Sequence, residues 1–79
     1  HAAACGISEI AQKGERLLFV LSQVDFQKVS ALCGGTAYRG RLLFSAGEKP
    51  HLALRLKKGE DPLKLAARLV EDYAAPAPA

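Results

Sequence analysis

From His51 to Lys57 the chain reads His-Leu-Ala-Leu-Arg-Leu-Lys, so Leu52, Leu54 and Leu56 face one way and Ala53, Arg55 and Lys57 the other. A period of two over this length marks a strand with one buried face and one that is wet or covered by a partner. One strand of that kind cannot bury its leucines alone, so the rest of the chain must supply neighbouring strands and a cover for one face.

The neighbours are legible. Arg16–Leu21 (RLLFVL) is a six-residue apolar, partly β-branched run suited to a buried strand. Ahead of it, Ile7 and Ile10 lie in a stretch ending at Lys13-Gly14, which predicts a hairpin through a glycine turn. Arg41–Ala46 is a third strand, joined to the His51–Lys57 strand through Gly47-Glu48-Lys49-Pro50.

Between the hairpins, Ser22 and Asp25 offer N-caps for a helix that carries Phe26, Val29, Leu32 and Cys33 on one face and ends at Gly34-Gly35. A second helix starts at Gly59-Glu60-Asp61-Pro62, with Asp61 as cap and Pro62 at the first helical position. Its stripe is Leu65, Ala66, Leu69, Val70 and Tyr73, with Glu60–Lys64 and Arg68–Asp72 as i,i+4 pairs outside. The expected fold is α+β, ordered β-β-α-β-β-α, an antiparallel sheet with helices packed on one face.

The ends read differently. His1–Gly6 (HAAACG) resembles the last turn of a helix closed by Gly6, which predicts that the chain starts inside a longer element. Ala74–Ala79 alternates proline with alanine and predicts an extended tail. The expected organisation is one small domain over residues 1–75, a fragment of a larger protein, with an Ala/Pro tail at 76–79. The 79 residues have room for one core only.

Cys5 and Cys33 are far apart, and no Cys-x-x-Cys spacing or adjacent histidine makes either a metal ligand. The two could form one bridge in a secreted protein, but a lone pair with no signal peptide in view fits reduced thiols and a cytoplasmic setting better. Arg and Lys interrupt every apolar stretch before it reaches the length of a membrane span. A net charge of +3 permits weak attraction to nucleic acid without requiring it.

No catalytic constellation emerges. Glu9, Glu15, Asp25, Glu48, Glu60, Asp61, Glu71 and Asp72 are scattered over caps, turns and helix exteriors, not paired as an acid–base set. His51 has no orienting partner beside it and reads as a solvated imidazole. Ser8, Ser22, Ser30 and Ser45 lack the Gly-x-Ser-x-Gly turn, and Gly34-Gly35 is not followed by the Lys-Ser/Thr of a phosphate loop. No catalytic residue, metal or cofactor is expected in the chain itself, which therefore acts by contact.

The surface feature with potential for contact is the basic set Arg39, Arg41, Arg55, Lys57 and Lys58, which two neighbouring strands would gather on the outer sheet face. Three readings stay open: a solvated face, a protein contact, and a small DNA- or RNA-binding module. The last needs exposed aromatics for base stacking, and with Phe19 and Phe44 expected in the core only Tyr38 remains. Self-association through an open sheet edge is a further reading.

Cys5-Gly-Ile-Ser-Glu-Ile10 after a helix end, the Gly14–Leu21 strand, the helix begun at Asp25, Arg39-Gly-Arg-Leu-Leu-Phe44 with Gly47-Glu-Lys-Pro50, and the leucine-rich helix to Tyr73 together have a familiar order. Over nearly the whole chain except the tail, the pattern resembles the C-terminal regulatory domain of the bacterial transcription-repair coupling factor family, Mfd. The resemblance implies a cytoplasmic parent, an ATP-dependent DNA translocase that contacts RNA polymerase, UvrA and DNA, with its ATP bound by motor domains elsewhere in the chain. It further implies that this domain is non-catalytic and autoinhibitory, packing against the UvrB-like domain of the same protein.

Overall fold

The computed structural model describes residues 6–74. The helix turn expected at His1–Gly6 and the Ala/Pro tail therefore lie outside the described residues, apart from Gly6 and Ala74. Four strands and two helices follow one another as β1 (Ile7–Lys13), β2 (Arg16–Leu21), α1 (Phe26–Gly34), β3 (Leu42–Ser45), β4 (His51–Arg55) and α2 (Pro62–Ala74). All pairings are antiparallel and the spatial order is β1-β2-β4-β3. The fold is thus the expected α+β class, β-β-α-β-β-α, and the second hairpin docks through β4 so that β1 and β3 form the two edges.

Local chemistry accounts for each joint. In the first hairpin Lys13 faces Arg16 across Gly14-Glu15, and Gly14 takes a φ of +58° at the first central position, where a tight hairpin turn favours glycine. Ile7 and Ile10, three apart, could not share a face of a regular strand. A bulge at Ser8 shifts the register, so Ile7 lies opposite Leu21 and Ile10 opposite Phe19, both on the core side.

Asp25 caps α1 by accepting from the amides of Gln27 and Lys28 at 3.1 and 3.2 Å. Asp61 accepts from Leu63 N–H at 3.0 Å at the start of α2, with Pro62 first in the helix. The strand read to Lys57 ends at Arg55. Leu56 N–H still reaches the Glu15 carbonyl, but Lys57 N–H turns to the Glu60 carboxylate and Glu60 N–H to the Lys57 carbonyl, closing a turn.

The core lies between one sheet face and the helices. Ile7, Leu17, Phe19, Leu21, Leu42, Leu52 and Leu54 supply the sheet side, and Val29, Tyr38, Leu69 and Tyr73 the other. Two tyrosines tie the loops to α2. The Tyr73 hydroxyl donates to the Gln23 carbonyl at 2.8 Å and accepts from Asp25 N–H at 3.1 Å, while Tyr38 donates to the Asp72 carboxylate. Lys28 adds a 2.8 Å bond from Nζ to the Tyr73 carbonyl and sits over the Tyr73 ring.

Three expectations are corrected. Phe26 does not join the buried stripe of α1; it is 68% exposed, with its ring edge-on to Phe44. Glu60 does not pair with Lys64, because the turn directs its carboxylate to Lys57 N–H and to Arg41; of the two expected pairs only Arg68–Asp72 forms, at 3.8 Å. Tyr38 is no exposed aromatic, for its ring is buried against the core and its hydroxyl engaged by Asp72. Among the described residues no helix is long and apolar enough to cross a membrane.

Candidate contact face

With both helices on one side, the other face of the sheet is open. Alternation along each strand decides what it carries, and the register lines those residues into rows. One row is apolar: Ala11, Leu18, Ala53 and Leu43 run across all four strands. Beside it Glu9, Val20, His51 and Ser45 form a mixed row.

On the other side Lys13, Arg16 and Arg55 run across β1, β2 and β4. Arg41 continues that row beyond β4, since Arg55 N–H donates to the Arg41 carbonyl at 3.0 Å. A depression on this face is lined by Arg16, Gly40, Arg41, Leu43, Ala53 and Arg55.

The four cations are not equivalent. Arg41 is folded down: it is ion-paired with Glu60, and its Nη2 donates to the Arg55 carbonyl at 2.9 Å. The Lys57 amide and the Arg41 guanidinium together hold the Glu60 carboxyl below its ordinary range. Lys13, Arg16 and Arg55 are exposed, and among the described residues none of the three enters an ion pair. The uncompensated charge therefore comes from three strands, and its centre is β2.

This arrangement differs from the basic set read in the sequence. Of Arg39, Arg41, Arg55, Lys57 and Lys58, only Arg41 and Arg55 line the depression, and Arg41 is already neutralised. Arg39 sits in the turn before β3, and Lys57 and Lys58 lie in the turn after β4. Lys13 and Arg16 went unread because each belongs to the hairpin preceding α1. Only the β2–β4 pairing, which joins segments far apart in the chain, brings Arg16 opposite Arg55.

Beside its cations the open face presents mainly aliphatic side chains, and among the described residues its one aromatic ring is the imidazole of His51. Phe19 is buried, Phe44 points to the core side, and the exposed ring of Phe26 belongs to α1. His51 is half-buried, with Nδ1 3.1 Å from the Lys49 carbonyl. Cys33 is half-buried and has no disulfide partner among the described residues; burial raises its pKa, which disfavours a reactive thiolate. No group of three or more His, Cys, Asp or Glu side chains able to hold a metal occurs among the described residues.

A second, largely apolar surface, lined by Ile10, Gln12, Leu17, Pro62, Leu63 and Ala66, runs between the first hairpin and the start of α2. No family model, curated protein or solved structure matches the chain.

Proposed function

We propose that this domain is a non-catalytic regulatory module that works by protein contact, its open sheet face docking on an acidic, partly apolar surface of another domain. The observation that carries the reading is the unpaired row Lys13–Arg16–Arg55 set beside the aliphatic row Leu18–Ala53–Leu43. Cations beside an aliphatic strip suit a protein surface of carboxylates around apolar side chains, with a rim that hydrates again on release. Among the described residues that face carries no Phe or Tyr, and its half-buried His51 is a poor stacking platform for single-stranded nucleic acid.

The resemblance to the C-terminal domain of transcription-repair coupling factors supplies the partner in this proposal: the UvrB-like domain of the same cytoplasmic protein. There the contact would cover the UvrA-recruiting surface and restrain a DNA translocase until the machine opens. A contact of this kind is modest and reversible, since a switch must break it within a few kcal/mol.

The test is a titration of the chain against an isolated UvrB-like domain and, in parallel, against duplex and single-stranded DNA over a salt series. The proposal expects binding to the protein domain that Arg16→Glu combined with Arg55→Glu abolishes. Tight DNA binding with a steep log–log salt slope, and none to the protein domain, would replace it with the nucleic-acid reading.

A further inference from the structure

The two sheet edges are built differently. β1 carries Ser8, Glu9, Gln12 and Lys13 and is bent by the bulge at Ser8, devices that discourage another strand from pairing with it. β3 is Leu42-Leu43-Phe44-Ser45, with no charge, proline or bulge. Its backbone polarity follows from one bond. Arg55 N–H donates to the Arg41 carbonyl, so Leu43 and Ser45 turn their polar groups to β4, and Leu42 and Phe44 turn theirs outward. The Leu42 amide is taken by the Tyr38 carbonyl at 3.2 Å. Among the described residues, the Phe44 N–H and C=O and the Leu42 C=O have no partner at this edge.

Large apolar side chains flank the same edge on both faces. Phe26, 68% exposed, stands on the core side against Phe44, with ring centroids 5.9 Å apart. Leu43, 66% exposed, stands on the open side. A partner docked on either face would cover only one of them. An added strand straddles the edge and covers both.

We propose that β3 is a strand-addition edge and that its occupant is β3 of a second copy of this chain, paired antiparallel about a twofold axis through Phe44. An axis normal to the sheet keeps the two core faces on one side, which allows only registers that oppose residues of the same face. Setting Phe44 opposite Phe44 lets the two copies exchange both hydrogen bonds of that pair and makes no demand on the engaged Leu42 amide. Each Phe26 then packs over the paired Phe44 rings, and each Leu43 meets Ser45 of the other copy. The strand has no net charge, so self-pairing opposes no like charges, whereas the cationic row lies toward the other end of the open face. This interface is separate from that row, and the inference does not rest on the proposed regulatory contact.

The experiment is sedimentation equilibrium on the full chain from about 10 μM to about 1 mM, the range in which one small strand pair associates. The mass should rise from 8.4 kDa toward twice that value. Ser45→Lys places a charge on the edge at an exposed position, and Phe26→Asp places an acid in the first turn of α1, where the helix dipole favours it. Each should weaken association by about tenfold or more, while Arg16→Glu should leave it unchanged. Exchange of the Phe44 amide with solvent should slow as concentration rises, a readout that an unfolded variant cannot imitate. A monomer throughout the range, a dimer that both edge variants leave intact, or a dimer broken by Arg16→Glu would each overturn the proposal.

Discussion

Arg16 in β2 stands directly opposite Arg55 in β4, at a position where the two residues do not hydrogen-bond each other and their side chains approach most closely. The assignment follows from the neighbouring Glu15–Leu56 pair, in which Leu56 N–H donates to the Glu15 carbonyl. Two cations so placed oppose folding unless something else needs them there. Arg16→Glu should convert the repulsion into a cross-strand ion pair and raise stability by about 0.5 kcal/mol, within the range for such pairs at an exposed sheet face. Urea denaturation measures it. The same variant should weaken docking to a UvrB-like domain. A variant less stable than the natural chain would show that the two guanidiniums are accommodated without strain.

Glu60 links three segments, accepting from Lys57 N–H and pairing with Arg41, which in turn donates to the Arg55 carbonyl. Its carboxyl is held below the ordinary value of 4.5, first by the Lys57 amide and then by Arg41. The unfolded chain therefore binds this proton more tightly than the folded one. The stability Glu60 contributes is complete above the unfolded value and is lost as pH falls through the folded value. Glu60→Gln should thus be less stable than the natural chain at pH 7 and equal to it in strong acid. A gap unchanged between denaturant titrations at the two pH values would trace the effect to packing instead of charge.

Tyr73 is the pin between α2 and the loop before α1. Its hydroxyl serves both the Gln23 carbonyl and the Asp25 amide, and its ring touches the position a Cβ on Gly6 would occupy, at 3.2 Å. Tyr73→Phe should cost about 1 kcal/mol, the usual net worth of a hydrogen bond, because Gln23 and Asp25 are exposed residues whose polar groups water can reach. Gly6→Ala should also destabilise, because Gly6 has a φ of +94° and the added carbon would crowd the ring. Amide exchange at Asp25 should quicken in Tyr73→Phe if the hydroxyl holds the loop, and stay unchanged if the ring alone does so.

Alternation and turn chemistry carried most of the fold. Leu52 and Leu54 alternate with Ala53 and Arg55, Gly14 marks the hairpin, and Asp25, Asp61 and Pro62 mark helix starts; each acts within a few residues of its own position. The candidate contact face was less legible because it depends on long-range pairing. Arg16 becomes part of it only through β4, and Glu60 leaves its i,i+4 partner because the Lys57 amide and Arg41 both claim its carboxylate. Phe26 has the spacing of a core residue, but it is the first residue of α1, at the β3 edge, where no element covers it. Its position beside an unpaired strand was not a property of the helix pattern.

Tyr38 offers a test at the alkaline end. Its ring is 3% exposed, and its hydroxyl donates to the Asp72 carboxylate from the turn before β3. Burial, then the hydrogen bond and charge of Asp72, push the phenol well above its ordinary value of 10.0. The folded state therefore holds this proton more tightly than the unfolded one. Its contribution is complete below the unfolded value and falls away as pH rises beyond it, because the unfolded chain can then ionise while the native chain cannot. Tyr38→Phe removes both the bond and the proton. At pH 7 it should cost about 1 kcal/mol, less than for a wholly buried charged acceptor, since water can reach Asp72 once the hydroxyl is gone. Above pH 10 the natural chain should lose stability faster than the variant, and the two denaturation midpoints should converge. Parallel declines from pH 8 to 11 would mean that Tyr38 ionises in the folded state and that its hydroxyl is not held by Asp72.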